Sequence, residues 1–429
     1  MKSLHVLGAN ARNQLYLTYN KASGRKIADN KLLTKKKLRK AGLPVPKTLA
    51  IFKTRADVDN FAWEDLPDNF VLKPRSGYGG GGIIIVRKKA KWAGEWRLMD
   101  DSIIKASDLK FRAFDILAGQ YSLRNEPDQV MIEERIKIRK AFFKYAYQGT
   151  PDIRVIVFNK VPVAAMLRLP TAQSKGKANL HQGAIAVGID LTTGITTHGI
   201  LNGKFIKTIP LTKKKVNGLK IPAWNQILTL AVKCQEAVPK LGFLGVDLVL
   251  DKERGPLILE LNARPGLEIQ NANLAPLRRR LERVEGLEVR SADHGVKIAK
   301  SLFAERFADR VMVEEGVKTL KVWEDVKVLS INGKTKTEIR AKIDTGAWKT
   351  SIDKGLAQDL GLLEKNNILW TKIYKSSLGR EERESIGLTF YLAGRRIKTI
   401  ANVADRITLR TPLIIGRRDL SGFLVKPRK

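Results

Sequence analysis

Apolar and polar positions change their spacing several times along the chain, and each spacing predicts a type of element. Residues 30–42 (NKLLTKKKLRKAG) place leucines among lysines at helical spacing, which predicts a basic amphipathic helix closed by Gly42. The apolar residues of 223–242 have the same period and predict a second helix. Apolar runs in 129–136 and 151–170 predict strands. The first part of the chain is therefore expected to mix helices with sheet.

The pattern changes after residues 292–312, whose spacing predicts one more helix. From about Val322 to the end, short alternating strands are separated by turn signals, with Asn-Gly at 332–333 and Ala-Gly at 393–394. This pattern predicts a small all-β domain. We therefore expect an α+β chain with three parts: a first domain at 1–300, a linker and helix end at 301–316, and a β-domain at 317–429.

Residues 245–266 (GVDLVLDKERGPLILELNARPG) predict a β-hairpin, because two apolar runs flank the turn-like stretch DKERGP. A symmetric register pairs Leu250 with Leu257 across the turn. In that register Asp247 lies directly opposite Glu260. Two carboxylates in such a cross-strand pair repel each other at roughly 5 Å. The pair therefore either weakens the hairpin or holds a positive charge between its members.

A metal ion is the positive charge that the composition of this hairpin favours. Asn262 lies two residues beyond Glu260, so it shares the face of Glu260 and Asp247. Oxygen ligands without histidine or cysteine suit Mg²⁺ or Mn²⁺ better than zinc. The alternative is a solvated sheet face, with three leucines packed on the other side: Leu257, Leu259 and Leu261.

A glycine-rich stretch, VLKPRSGYGGGGIIIV, is a candidate phosphate-binding loop. Lys73 precedes the glycines and a strand follows them, whereas a P-loop or a dinucleotide-binding loop leads into a helix. Glycines leave their backbone N–H groups open to a phosphate chain. The alternative is a hairpin loop without a ligand.

The composition shapes the expected partners. The chain has 429 residues, 43% of them hydrophobic, and a net charge of +36. Such a surplus attracts polyanions, so a basic surface that contacts nucleic acid or the ribosome is one expectation, and solvated helix faces are the alternative. No apolar run approaches the roughly 20 residues of a membrane helix, and the N-terminus turns polar too early for a secretory signal. Cys234 is the single cysteine, so we expect a cytoplasmic protein without disulfides or a membrane span.

Several motifs, in this order, resemble those of ATP-grasp ligases. They are Lys31, VLKPRSGYGGGG, PDIRVIVF, AMLRLPTAQSKGKANLHQGA, GVDLVLD and LILELNARPGLEIQNAN, and they cover roughly residues 5–290. The combination is similar to the alpha-L-glutamate ligase-like (RimK-related) branch. The resemblance implies an ATP-grasp fold, with ATP and two Mg²⁺ (or Mn²⁺) ions as cofactors. It also implies ligation of a carboxylate to an amine through an acyl phosphate.

The resemblance assigns roles to residues by their positions. The nucleotide-contacting set comprises Lys31 and Lys73 at the phosphates, Gly79, Gly80, Gly81 and Gly82 in the loop, Glu133 and Glu134 at the interlobe hinge, and Asp152 and Lys177. The groups near the transferred phosphate, where catalysis is expected, are Arg168 and Asn179. The implied metal ligands are Asp247, Glu260 and Asn262.

The expected activity is the addition of glutamate or a similar amino acid to a peptide or small-molecule acceptor. In phosphoryl transfer, charge accumulates on phosphoryl oxygens, so catalysis rests on positioning and neutralisation. Arg168 is expected to neutralise the acyl phosphate. The alternative is a non-catalytic, nucleotide-gated protein that docks on nucleic acid or ribosomes and carries a peptide-binding β-domain.

The C-terminal region contains Asp344-Thr345-Gly346 after an alternating strand, and an apolar run that ends at Gly416. The two motifs resemble retropepsin-like aspartic proteases, including a family named ATP-dependent zinc proteases. Two aspartates must share a proton in such a site, so a catalytic Asp344 implies a homo-oligomer. Zinc is not expected, because all histidines and the cysteine precede this region and Asp353 stands about where that family has a histidine. The alternative makes Asp344 a turn-forming residue in a non-catalytic domain.

Overall fold

The computed structural model describes residues 6–77, 80–122, 125–138, 142, 144–303, 318–376, 379–406, 409–420 and 423–426. The chain divides into two compact units, which are Met1–Ile189 with Gly194–Glu282, and Asp190–Thr193 with Arg283–Lys429. Most of the linker expected at 301–316 lies outside the described residues. Within the described ranges, no helix is both long and apolar enough to cross a membrane.

A six-stranded antiparallel sheet forms the first part of the first unit. Its strands are β1 (Thr48–Phe52), β2 (Phe70–Pro74), β3 (Ile84–Lys89), β4 (Glu95–Leu98), β5 (Ile103–Lys105) and β6 (Val130–Glu134). They lie in the order β1-β6-β2-β3-β4-β5. Helices α1 (Ala9–Ala11), α2 (Ala22–Ala28) and α3 (Lys31–Lys40) precede this sheet in the chain, and α4 (Arg55–Asp59) and α5 (Ala106–Leu117) pack on it. An aromatic core stabilises the sheet, with the rings of Phe70 and Trp96 edge to face at 5.5 Å.

The basic amphipathic helix predicted for 30–42 is α3, and this prediction is confirmed. The side chain of Asn30 accepts hydrogen bonds from two backbone N–H groups of the first turn, both at 3.1 Å, which satisfies donors that have no partner within the helix. Gly42 follows the helix with a φ of +68°, a conformation that favours glycine. The buried face contains Leu38, as expected, but also Lys35, which is 2% exposed.

A seven-stranded antiparallel sheet forms the second part of the first unit. Its strands are β7 (Asp152–Phe158), β8 (Val161–Leu169), β9 (Ile185–Ile189), β10 (Thr196–Leu201), β11 (Lys204–Ile206), β12 (Phe243–Asp251) and β13 (Gly255–Asn262), in the order β11-β10-β9-β8-β7-β12-β13. Its helices are α6 (Trp224–Ala237), α7 (Glu268–Ala272) and α8 (Leu277–Val284). The helix predicted for 223–242 is therefore confirmed but ends earlier. The following turn is held by Gln235, whose side-chain amide donates to the carbonyl of Leu241 at 2.9 Å.

The second unit is built around a closed barrel. Its elements are α9 (Ala292–Leu302), β14 (Lys318–Leu320), β15 (Trp323–Leu329), β16 (Lys336–Asp344), β17 (Ser351–Asp353), α10 (Lys354–Asp359), β18 (Ile368–Ser376), β19 (Gly379–Leu392), β20 (Arg395–Ala404), β21 (Leu413–Gly416) and β22 (Phe423–Val425). Six strands close in the order β15-β16-β21-β17-β20-β19 and back to β15, while β18 pairs with the outer edge of β19. The turn signals at 332–333 and 393–394 join consecutive strands as predicted. The helix predicted for 292–312 is α9 up to Leu302, and residues 304–312 lie outside the described residues.

Candidate functional site

Polar side chains of four neighbouring strands share one face of the seven-stranded sheet. Alternate residues of a strand point to the same face, and residues paired across strands do too. Asp152 of β7 pairs with Arg168 of β8. Asp247 of β12 pairs with Arg154 on one side and Glu260 on the other. Charges of both signs therefore meet in the middle of this sheet face.

The predicted Asp247–Glu260 pair is confirmed, but the register that led to it is wrong. Leu250 pairs with Pro256, and Leu257 pairs with Val249. A β-bulge near Leu259 shifts the register by one residue, so that the two carboxylates face each other after all. The bulge also places Leu257 on the face of Val249, where both join a small apolar cluster. The expectation that Leu257 and Leu261 share a face is therefore wrong.

Two arginines neutralise Asp247, whose side chain is 1% exposed. Arg154 donates from Nε to Oδ1 at 2.7 Å and from Nη2 to Oδ2 at 2.6 Å. Arg168 donates from Nη2 to Oδ2 of Asp247 at 2.7 Å, and grips Asp152 with Nε and Nη2 at 2.5 and 2.6 Å. Sequence reasoning missed Arg154, although a lone arginine in the apolar run DIRVIVF was a signal.

This network changes the acidity of its members. Burial raises the pKa of Asp152 to about 6, and the carboxylate of Asp247 acts in the same direction, against Arg168. Burial opposes ionisation of Asp247, but Arg154 and Arg168 outweigh it and hold its pKa well below the usual range. Burial alone would lower the pKa of Arg168, yet the two aspartates raise it. Asp247 and Arg168 are therefore charged at neutral pH.

The side chains expected to bind a cation converge in the structure. The amide group of Asn262 lies 3.1 Å from Oδ2 of Asp247 and 3.4 Å from Oε1 of Glu260. A half-turn of this amide would present its oxygen in the same place. The part of the chain that the structure describes contains no cluster of three or more His, Cys, Asp or Glu side chains for a metal. The set of two carboxylates and one amide oxygen nevertheless suits a hard cation such as Mg²⁺.

A second charged cluster lies in the six-stranded sheet. Lys73 pairs with Met131, so Glu133 is its diagonal neighbour on the same face, and Lys73 Nζ lies 2.7 Å from Glu133 Oε2. Lys35 contacts the other oxygen, Oε1, and also donates to the carbonyl of Pro46 at 3.1 Å. Glu133 is 3% exposed, so both ion pairs are buried. Sequence reasoning missed Lys35, although it lies one helical turn after Lys31.

Burial lowers the pKa values of two lysines in this region. Burial lowers the pKa of Lys35 to about 8, and the nearby Lys73 adds to this, against Glu133. Burial also lowers the pKa of Lys31, while Glu260 opposes the shift. Lys31 Nζ donates to the carbonyls of Arg75 and Gly77, both at 3.4 Å. Lys31 thus lies within electrostatic reach of both charged clusters.

Glu134 has different surroundings from Glu133, as expected for adjacent residues of a strand. Its Oε1 accepts a hydrogen bond from the backbone N–H of Lys47 and pairs with Arg254, both at 2.6 Å. Arg254 belongs to the turn between β12 and β13. Glu134 therefore ties the end of β6 to the hairpin that carries Asp247.

The described part of the glycine loop lies against Lys177. Gly80 and Gly82 have φ values of +79° and +70°, which favour glycine. A Cβ on Gly80 would lie 3.3 Å from Cδ of Lys177, and one on Gly82 would lie 2.7 Å from Tyr121. Gly81 lies between these two residues, and Gly79 lies outside the described residues. Burial lowers the pKa of Lys177.

Asn179 begins a short turn in the loop between β8 and β9. Its side chain accepts a hydrogen bond from the backbone N–H of His181 at 3.0 Å, and the side chain of His181 is exposed. The same loop contacts an earlier segment, because a Cβ on Gly149 would lie only 1.8 Å from the carbonyl oxygen of Gly176. Gly149 thus fits where a larger residue would not.

In the second unit, Asp344 ends β16 and pairs in parallel with Gly416 of β21. Its Oδ1 accepts hydrogen bonds from the backbone N–H groups of Gly346 and Ala347 at 2.9 and 3.0 Å. Burial opposes ionisation, but these two bonds and the nearby Lys342 lower the pKa of Asp344. Asp353 caps α10 by accepting from the backbone N–H of Leu356 at 3.1 Å.

The first unit, with its two antiparallel sheets, has the ATP-grasp fold, and the closed β-barrel follows it in the chain. The family model described as sugar-transfer associated ATP-grasp matches residues 10–286, well over half of the chain, and the chain belongs to this family. The expected alpha-L-glutamate ligase-like branch is a finer assignment that this match does not address. No curated protein sequence matches the chain.

Similarity to solved structures is distant. The ATP-grasp ligase PsnB complexed with its minimal precursor is 17% identical, with 62% of each chain covered and a TM-score of 0.34. D-alanine–D-alanine ligase from Bacillus anthracis complexed with ATP is 15% identical, with 62% of this chain and 68% of that chain covered and a TM-score of 0.35. Lpg0085 from Legionella pneumophila, of unknown function, is 17% identical over 26% of this chain and 93% of its own, with a TM-score of 0.18. The match to PsnB spans less than two thirds of that protein. These identities and TM-scores are too low to indicate the activity of this chain.

Proposed function

We propose that the chain is an ATP- and Mg²⁺-dependent carboxylate–amine ligase. The observation that carries the proposal is Arg168, which is held by Asp152 and reaches Asp247 on the sheet face that also bears Glu260 and Asn262. A carboxylate that attacks the γ-phosphate of ATP forms an acyl phosphate and releases ADP. An amine then attacks the acyl carbon, and inorganic phosphate leaves as the amide forms. Both steps build negative charge on oxygen, and a fixed guanidinium beside cation-binding oxygens stabilises it.

Each residue of the two clusters has a part in this proposal. Lys31 and Lys73 hold phosphate oxygens, with Lys177 and the glycine loop beside them. Two Mg²⁺ ions bound by the Asp247 set would neutralise the phosphate charge and orient the oxygens. Arg168 neutralises the acyl phosphate and the later tetrahedral oxyanion, and Asn179 orients the phosphate. The buried Asp152 keeps the guanidinium of Arg168 in a single orientation, because its Nε and Nη2 each donate a hydrogen bond to one carboxylate oxygen.

We further propose that the substrates belong to the class used by the alpha-L-glutamate ligase-like branch, with glutamate or a similar amino acid joined to a peptide or small-molecule acceptor. The order of the motifs between Lys31 and LILELNARPGLEIQNAN, which resembles that branch, supports this assignment. Release of ADP should be measured with Mg²⁺ for each pairing of amino acids and candidate acceptors. Glutamate-dependent ADP release with formation of an amide is the expected result. Turnover only with acceptors that lack an amine would contradict the reaction class.

For the second unit we propose a retropepsin-like aspartic peptidase that is active as a homodimer. Support comes from Asp344 at the end of β16, next to Gly416 in a closed barrel. Two copies of Asp344 would share one proton and activate water. The alternative role, a turn-forming aspartate in a peptide-binding domain, is favoured by the two backbone hydrogen bonds to Oδ1. Peptide hydrolysis that disappears in Asp344→Asn distinguishes the two roles.

The net charge of +36 favours a second candidate function, a nucleotide-gated protein that binds nucleic acid or ribosomes. Phosphate contacts release counterions, so affinity for RNA would fall steeply as salt concentration rises. RNA binding with a steep salt dependence, together with no ATP turnover on any amino acid, would favour this function over the ligase.

A further inference from the structure

Lys35 is a buried charged side chain that the proposed chemistry leaves unused. It lies on α3, one turn after Lys31, and its ammonium group contacts Glu133. We propose that Lys35 is a positioning residue for nucleotide binding, which acts by neutralising Glu133 so that Lys73 is available to a phosphate. The inference rests on the proposed role of Lys73 at the phosphates of ATP.

The geometry assigns one carboxylate oxygen to each lysine. Lys35 contacts Oε1 of Glu133, and Lys73 lies 2.7 Å from Oε2. Lys35 is also fixed by the carbonyl of Pro46 at 3.1 Å, and its side chain is 2% exposed. The side chain of Lys73 is 11% exposed. Lys35 is therefore the permanent partner of Glu133, whereas Lys73 is the lysine with access to a ligand.

The charges of the three groups support this division. Two ammonium groups contact the one carboxylate, so Glu133 keeps a cationic partner in Lys35 when Lys73 turns to a phosphate. If Lys35 were neutral, Lys73 would be the one charged partner of Glu133 in this cluster. Lys73 would then have to leave an uncompensated buried carboxylate in order to reach a phosphate, which is costly. The contribution of Lys35 to nucleotide binding thus passes entirely through Glu133.

The test measures binding of a fluorescent ADP analogue to the full-length protein in the presence of Mg²⁺. Lys35→Met should weaken binding about tenfold, in line with the loss of one charge-assisted contact. Lys36→Met is the matched control, because Lys36 is exposed on the same helix, and it should bind as the parent does. Equal binding by Lys35→Met and the parent overturns the inference.

A double variant separates positioning from a purely structural role. When Glu133→Gln removes the carboxylate, Lys35 has nothing to neutralise, so Lys35→Met/Glu133→Gln should bind the ADP analogue as Glu133→Gln alone does. A further loss on adding Lys35→Met to Glu133→Gln overturns the inference, and this comparison holds even where Lys35→Met alone does not fold. A parent protein that binds no nucleotide overturns both this inference and the ligase. Nucleotide binding is measured without turnover. Absence of ligation alone therefore overturns the proposed ligase function and leaves the inference about Lys35 standing.

Discussion

At the scale of single residues, Asp247 shows how a carboxylate can remain ionised inside a sheet. Burial alone would favour its neutral form, but three hydrogen bonds from Arg154 and Arg168 outweigh that cost. The pairing with Glu260 then becomes tolerable, because a positive charge lies beside it. The alternation of the strands predicted that Asp247, Glu260 and Asn262 share this face, but which arginines reach Asp247 depends on the neighbouring strands.

Glu260 is the residue whose loss should affect activity most directly. Glu260→Ala removes one of two carboxylates from the proposed cation site, so we expect ADP release to fall about 100-fold or more. Glu253→Ala, in the exposed turn of the same hairpin, is the control and should retain parent activity. Turnover by Glu260→Ala at the rate of the control would refute the metal assignment.

The buried Lys35 should give the chain a measurable pH dependence of stability. Its pKa is lowered to about 8 in the folded protein, from 10.5 for an ordinary lysine. Between these values the unfolded chain binds more protons, so the free energy of unfolding rises with pH. Lys35→Met should lack this rise, and Lys36→Met should keep it. Denaturation curves at pH 7.5 and at about pH 10 check the prediction, and parallel changes in both variants would count against it.

At the scale of elements, the β-bulge near Leu259 explains why the pairing of Asp247 with Glu260 was predicted correctly from a wrong hairpin register. The turn between β12 and β13 aligns Leu250 with Pro256, and the extra residue restores the opposition of Asp247 and Glu260. Period-two alternation cannot reveal a bulge, since the inserted residue breaks the period at one position only. The helix α3 was easier to predict, because its cap, its spacing and its closing glycine are all local signals.

Gly149 packs closely against the loop that contains Gly176 and Lys177, so a substitution at Gly149 tests the role of that loop. Gly149→Ala would place a methyl group about 1.8 Å from the carbonyl oxygen of Gly176, so the loop must shift. We expect the KM for ATP to rise about tenfold, since small misplacements of positioning groups are costly. Gly8→Ala, where a Cβ meets nothing within 4 Å, is the control. An unchanged KM in Gly149→Ala would show that this loop does not contribute to nucleotide binding.

At the scale of the whole molecule, the candidate functional residues are divided between two compact units. The lysine and carboxylate clusters belong to the first unit, and Asp344 belongs to the second. Each unit has its own apolar core. The domain ranges 1–300 and 317–429, a homo-oligomeric state and a cytoplasmic location stay predictions.

This division predicts that the two proposed activities respond to separate substitutions. Asp344→Asn should abolish any peptide hydrolysis and leave ATP turnover within about twofold of the parent, since an isosteric substitution in one compact unit rarely affects a separate unit. Glu260→Ala should have the opposite effects. Assays of peptide hydrolysis and ADP release on the same preparations check this. Loss of ADP release in Asp344→Asn would contradict the separation.

Local patterns in the sequence were enough to predict the ATP-grasp family, the barrel turns at 332–333 and 393–394, and the shared face of Asp247, Glu260 and Asn262. These features depend on local spacing and on the order of motifs. Both can be recognised in a sequence before it is known which strands are neighbours. The folded structure was needed to show that Lys35 contacts Glu133, that Arg154 contacts Asp247, and that a bulge sets the hairpin register. Those contacts join segments far apart in the chain, and they depend on strand order and burial, which no local spacing of residues encodes.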